Sequence, residues 1–383
     1  MDVSSLFSNV QADALVIIAD SEQNSDMYYL TGFLAPDPFV ALITRTEKII
    51  IVSDLEYERA RVEACADRVL RMAQLLDPES PQRKTVPGTV RAVLEVLRKE
   101  NISQVFVPAS FPVIYADYLR SQSIDITYPE GRFIQQRAIK SATETGFIET
   151  AVSNTEIVVY DTIELIRKAN IVGDLLYLND SVLTSEKLKN FIASRLFDRG
   201  YLALNTIIAA GIQSFDPHNQ GSGPLPANKP IIIDVFPRSM TNRYFADMTR
   251  TVVRGVPDKH VEAMFDAVLS AQTSAIKTIK AGVPVAEPHK ACCDVFAQKG
   301  FATGMINGFI QGFIHSTGHG VGLDIHEEPR LYTGDQTLEA GNVVTVEPGL
   351  YYRDYGGVRI EDLIVVEHGG YRNLNHLEKV LVV

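Results

Sequence analysis

The sequence predicts two unlike halves: an α/β domain over residues 1–135, then an α+β domain over residues 136–383. Three observations lead there. Short apolar runs alternate with helical spacings through the first 130 residues. Pro129 and Gly131 then punctuate the chain. Beyond them, long amphipathic helices are segregated from strands that read as antiparallel hairpins. A length of 383 residues fits two or three domains with cores that need no staples.

Ala14–Ala19 (ALVIIA) is an apolar run between polar flanks, hence a strand. Phe39–Thr44 and Lys48–Ser53 flank Arg45-Thr46-Glu47 and read as a hairpin. Thr89–Glu100 places Val90, Val93, Leu94 and Leu97 at helical spacing, and Gln104–Val107 is another strand. This half brings no His, Cys, Asp and Glu together at ligand spacing, so it reads as scaffold or dimerisation domain. In the second half, Ala142–Lys168, Ser185–Asp198, Asp258–Ala281 and Pro288–Lys299 read as helices, with Gly282 and Pro284 stopping the third. Pro230–Pro237, Tyr244–Val253, Asn342–Tyr352 and Gly357–Val366 read as strands.

Composition excludes several classes. With 46% hydrophobic and 22% charged residues the chain is not mainly disordered. No run approaches the roughly 20 apolar residues of a membrane span, and MDVSSLFSNVQADA lacks the features of a signal peptide. A net charge of −11 argues against nucleic acid and anionic membrane as partners. Cys65, Cys292 and Cys293 form no disulfide framework and fit a reducing, cytoplasmic setting; they read as small buried hydrophobes.

Chemistry concentrates in the second half. The apolar strand Pro230–Phe236 carries Asp234 at its centre, and Tyr244–Val253 carries Asp247. A hairpin centred near Met240 and Thr241 sets Asp234 opposite Asp247, with Cβ atoms roughly 5 Å apart. Two carboxylates that close need a proton or a cation between them. The construction recurs at Glu347 and Glu361, which a hairpin centred on Asp354 sets opposite each other. His315, His319 and His326 lie within twelve residues, and Gly318 and Gly320 beside His319 let backbone approach a ligand or metal closely. Four carboxylates and an imidazole make an oxygen-rich site for two divalent cations, with Mn²⁺, Co²⁺, Fe²⁺ and Zn²⁺ all suitable. A paired-metal site lowers the pKa of water toward about 7, which is machinery for hydrolysis. His289, Cys292 and Cys293 share a helix face and read as packing rather than as a second metal site.

The strings DxTRT (Asp247–Thr251), HxxGHGVGLxxHE (His315–Glu327), VEPGLY (Val346–Tyr351) and GGVRIED (Gly356–Asp362) resemble those of the pita-bread metallopeptidases. These include Xaa-Pro dipeptidases (prolidases), Xaa-Pro aminopeptidases and methionine aminopeptidases. Tyr29-Leu-Thr-Gly-Phe33 resembles the N-terminal domain that prolidases, aminopeptidase P and creatinase share and methionine aminopeptidases lack. The resemblance implies a creatinase-like first domain, a pita-bread catalytic domain and a homodimer. It implies Asp234, Asp247, His319, Glu347 and Glu361 as ligands of two metals, with Asp247 and Glu361 bridging. It implies His218 and His326 as substrate-pocket residues, and Arg359 as support for the ligands or contact to substrate. One departure stands out: thirteen positions separate the aspartates instead of eleven, and Phe236-Pro237 replaces a glycine neighbourhood, which bears on the pocket rim.

The implied function is hydrolysis of the peptide bond before proline in small peptides, foremost by an Xaa-Pro dipeptidase, with Glu347 moving the proton from water to the leaving nitrogen. The alternatives are an Xaa-Pro aminopeptidase on longer peptides, a non-peptide hydrolase or lyase, and a binding protein that has lost activity. Thr249 and Thr345, each two residues from a carboxylate, are candidate hydrogen-bond partners of the ligands.

Overall fold

The computed structural model describes residues 3–8, 10–79 and 81–383. The chain divides into two compact units, Met1–Arg137 and Ala138–Val383.

The first unit is a six-stranded mixed sheet in the order Arg68–Arg71, Lys48–Val52, Phe39–Thr44, Ala14–Ala19, Gln104–Phe106, Asp125–Thr127. Its central strands are apolar on both faces, as a sheet covered on both sides requires. The period of two is visible in the packing: Val16, Leu42, Ile49 and Ile51 meet Val90, Val93 and Leu97 of the Gly88–Lys99 helix. Ile17, Ile43, Ile50 and Val52 meet Met27 and Leu30 of the Ser25–Thr31 helix on the other face. The hairpin through Arg45–Glu47 forms, with Ile43 opposite Lys48.

In the second unit the Ala142–Lys168 helix opens with a capping box, Ser141 and Glu144 each bonding the other's backbone N–H. The Lys259–Thr278 helix starts at an Asp258 cap and ends three residues before Ala281. Its buried face (Val261, Met264, Phe265, Val268, Ala271) joins Val344, Val346, Leu350, Val358, Ile360 and Ile364 in one core. Three antiparallel sheets surround the chemistry-bearing residues. One is Ile207–Ala210, Ile231–Val235 and Met248–Val252; one has five strands, with Gly318–Gly320, Val343–Val346 and Asp362–Glu367 central; the third is the hairpin Gly349–Tyr352 with Gly356–Arg359. Among the described residues no helix is long and apolar enough to cross a membrane.

Three expectations are corrected. Asp234 pairs with Thr249, not Asp247. The turn is held by Ser239, whose Oγ accepts the N–H groups of Thr241 and Asn242, and by Ala246 donating to the Pro237 carbonyl. The hairpin axis therefore falls one position later than expected and the register moves by two, an even shift that leaves both aspartates on one face. Second, the glycines beside His319 make room for neighbouring strands. A Cβ on Gly318 would stand 1.9 Å from the Thr345 carbonyl oxygen, and one on Gly320 2.3 Å from that of Glu328. Third, only Cys292 is buried; Cys65 and Cys293 are exposed.

Candidate functional site

The glutamates sit where two ladders break. Val343–Val346 pairs with Asp362–Val365, and Gly349–Tyr352 pairs with Gly356–Arg359, both in the register centred on Asp354. Glu347 and Glu361 fall in the gap between these ladders, at positions that same register sets opposite. Their N–H groups leave the pair for other strands: Glu347 donates to the Thr317 carbonyl (2.8 Å) and Glu361 to that of Thr249 (3.1 Å). These bonds tie the glutamates to the segments that carry His319 and Asp247.

The side chains converge on a cavity of about 650 Å³ lined by all five candidate ligands together with His218, His315, His326, Arg330, Tyr332 and Arg359. One donor atom each of Asp247, His319 and Glu361 lies within 4.8 Å of the others. His319 Nε2 stands 3.3 Å from Glu347 Oε1 and 3.8 Å from Asp247 Oδ2. His319 Nδ1 donates to the Gly320 carbonyl at 3.1 Å, which turns Nε2 toward those carboxylates. Such an approach repels unless a proton or a cation lies between. Asp234 receives Arg359 Nη2 on Oδ2 at 2.6 Å, while its buried Oδ1 meets no hydrogen-bond donor among the described residues. Thr249 Oγ1 donates to Glu361 Oε2 at 2.7 Å, and Thr345 Oγ1 accepts the His319 N–H at 3.0 Å.

Burial raises Asp234, and raises Asp247 and Glu361 well above the ordinary carboxylate range, with the neighbouring carboxylates adding repulsion. Glu347 goes the other way. Burial alone would raise it, but its hydrogen bond to His319, with the guanidinium of Arg359 nearby, brings it down to about 2. Burial lowers His315 and His326, favouring neutral imidazoles. Arg359 Nη1 donates to the Tyr351 hydroxyl at 2.8 Å, and that hydroxyl meets His315 Nε2 at 3.0 Å. The His326 ring packs edge-on against His319, centroids 4.4 Å apart. Crowded carboxylates, the buried Asp234 Oδ1 and an imidazole nitrogen aimed inward together fit a divalent-cation site.

Residues 148–368 match the family model described as metallopeptidase family M24, and residues 3–113 match the creatinase/prolidase N-terminal domain. The chain belongs to metallopeptidase family M24. An uncharacterized peptidase of Staphylococcus aureus (strain bovine RF122 / ET3-1) is 29% identical over 97% of both chains. Among solved structures, the prolidase from Pyrococcus horikoshii OT3 is 26% identical with a TM-score of 0.78, covering 99% of this chain and 98% of that one. The X-Pro aminopeptidase from Thermotoga maritima MSB8 shares the fold at 23% identity, with a TM-score of 0.81 over 99% of this chain and 100% of that one. The expected fold, a creatinase-like domain followed by a pita-bread domain, is borne out.

The M24 site also contains residues that motif reading passed over. Arg330 and Tyr332 line the cavity from the Glu327–Leu331 strand and the residue after it. Glu327 pairs with Lys140 at 2.9 Å, both side chains almost wholly buried, and its other oxygen accepts the Asp324 N–H at 3.0 Å. That anchors the turn carrying His326. Behind Glu361, buried Asp362 pairs with Arg250 (2.9 Å) and Lys379, while Arg250 also donates to the carbonyls of Glu361 and Leu377. His289 packs on Phe313 and Tyr332 and its Nδ1 meets Thr317 Oγ1 at 3.0 Å, so it belongs to the packed helix face.

Proposed function

We propose that this M24 enzyme is an Xaa-Pro dipeptidase working with two divalent cations held by Asp234, Asp247, His319, Glu347 and Glu361. The observation that carries the reading is the convergence of these five donors on one cavity whose lining also includes Arg330. The 26% identity to a prolidase over nearly the full chain supports it. Four carboxylates and one imidazole suit Mn²⁺, Co²⁺, Fe²⁺ or Zn²⁺. Cations bound there supply Lewis-acid polarisation of the scissile carbonyl and acidify water.

The protein's own groups do the rest. A Glu347 carboxylate oxygen takes the proton of the attacking water and delivers it to the proline nitrogen. That nitrogen has no N–H in the peptide, so recognition must come from elsewhere in the pocket. Arg330 supplies a cation for the free carboxylate of a dipeptide, a charge-assisted contact that a longer peptide loses. His326, kept neutral by burial, and His218 offer hydrogen bonds to the substrate carbonyl. Arg359 holds Asp234 in its orientation. A homodimer belongs to the same reading, supported by the creatinase/prolidase type of the N-terminal domain and testable by light scattering.

The test is a paired assay on protein reconstituted with Mn²⁺: an Xaa-Pro dipeptide and an Xaa-Pro tripeptide, each with and without chelator. Chelator-sensitive cleavage of the dipeptide alone is expected. Release of the first residue of the tripeptide would replace the reading with an Xaa-Pro aminopeptidase, and cleavage of neither would remove prolyl-bond hydrolysis altogether.

A further inference from the structure

Breaking two ladders at one point leaves carbonyls to be satisfied as well as N–H groups. The residues preceding Glu347 and Glu361 are Val346 and Ile360, both wholly buried and packed in the apolar core. Water does not reach their carbonyls. A single side chain serves both. Gln272, itself 0% exposed on the buried face of the Lys259–Thr278 helix, sends its Nε2 to the Val346 oxygen at 2.9 Å and to the Ile360 oxygen at 3.3 Å. Its neighbours on that face are Val268, Ala271, Ala275 and Ile276, all core residues. A lone amide in such company is costly, more so because its Oε1 is buried with no hydrogen-bond partner among the described residues.

We infer that Gln272 is a positioning residue that spaces the two glutamate strands at the gap and so aims Glu347 and Glu361 into the cavity. The accounting around the gap supports this. The Glu347 and Glu361 N–H groups go outward to Thr317 and Thr249, and the Glu361 carbonyl is taken by Arg250 at 2.7 Å. The Val346 and Ile360 carbonyls, one on each strand, both accept from one NH₂ group. Its two hydrogens fit two acceptors on separate strands, a task for which a hydroxyl or a methyl has too few donors. Without the amide, the bridge between the two strands is lost and the Ile360 carbonyl faces Pro348, which has no N–H to give, so the glutamate that follows moves.

The inference rests on the ligand assignment proposed above, and its test separates the two. Chelator-stripped wild type, Gln272→Met and Val268→Ala are titrated calorimetrically with Mn²⁺, and the Co²⁺-loaded forms are compared by visible absorption. Val268→Ala lies on the same helix face and controls for plain loss of core packing. The expected result is a cooperatively folded Gln272→Met with Mn²⁺ affinity reduced about tenfold, in the range for removal of outer supports of a metal site, and an altered Co²⁺ spectrum. Val268→Ala should lose stability and change neither readout. Should Gln272→Met not fold, Gln272→Asn, which keeps the donor but withdraws it by one methylene, is expected to show the same two changes. Wild-type affinity and spectrum in a folded Gln272 variant would overturn the inference while leaving the ligand assignment standing. Failure of the wild type itself to bind Mn²⁺ would overturn both.

Discussion

Replacing Lys140 by methionine tests how the turn carrying His326 is held. Lys140 Nζ and Glu327 Oε2 are 2.9 Å apart, and each side chain is 1% exposed. Deleting one partner of a buried pair costs about 3–5 kcal/mol, because the remaining charge loses this partner where water cannot replace it. Glu327 keeps the Asp324 N–H on its other oxygen, so the lower end, about 3 kcal/mol, is the expectation. For a unit of this size, about 2–4 °C of melting temperature per kcal/mol gives a fall of about 6–12 °C. The double variant Lys140→Met/Glu327→Leu removes both charges and should regain more than half of the loss, since apolar replacement of a whole buried pair is often neutral. The assay is urea unfolding of the four proteins of the cycle, with dipeptide turnover measured alongside. A single variant losing less than about 1 kcal/mol, or a double variant no better than the single, would refute the idea that this pair anchors the turn.

Four further outcomes are expected. Thr249→Val removes the 2.7 Å hydrogen bond to Glu361 and should weaken Mn²⁺ binding about 10–100-fold by calorimetry, with unchanged secondary structure. Glu347→Gln should abolish turnover in a folded protein; near-normal kcat would exclude its role as proton carrier. Arg330→Leu should raise KM for the dipeptide about tenfold or more, the worth of one charge-assisted hydrogen bond, and should spare any residual tripeptide cleavage. The last concerns pH. Burial and like charge raise Glu361 in the metal-free protein, so folding carries a cost that appears as pH climbs above the ordinary carboxylate range toward the raised value. Metal-free Glu361→Gln lacks that cost. Its stability relative to metal-free wild type should therefore grow with pH between 5 and 8, by up to about 1.4 kcal/mol per unit while the proton is being released. A flat or falling difference in urea unfolding would contradict the assignment of repulsion at Glu361.

Much of the site was legible because it is written locally. The opposition of Glu347 and Glu361 follows from a tight hairpin centred on Asp354, whose register persists across the gap. The aspartate hairpin was read two positions out, because its turn is set by side-chain hydrogen bonds from Ser239 that spacing alone does not reveal. The face survived, since side chains alternate with a period of two. The supports were less visible. Lys140 and Glu327 meet across 187 positions, and no local pattern pairs them. Gln272 did leave a trace, as a polar residue among Val268, Ala271 and Ala275, but periodicity registers only the apolar face it interrupts. In the first unit, short apolar runs were enough to place the central strands because both faces are covered.

The network behind Glu361 bears on how the protein is made. Asp362 takes its second cation from Lys379, Arg250 is held by the Leu377 carbonyl, and Val253 exchanges hydrogen bonds with Leu381 and Val383. The strand that carries Thr249 is thus bordered by residues synthesised more than a hundred positions later. During translation, Asp234 and Asp247 leave the ribosome well before the partners that orient them, and the catalytic unit cannot close around them early. In vectorial synthesis the strand bearing Thr249 therefore waits for residues 377–383 before Arg250 and its own edge at Val253 are satisfied.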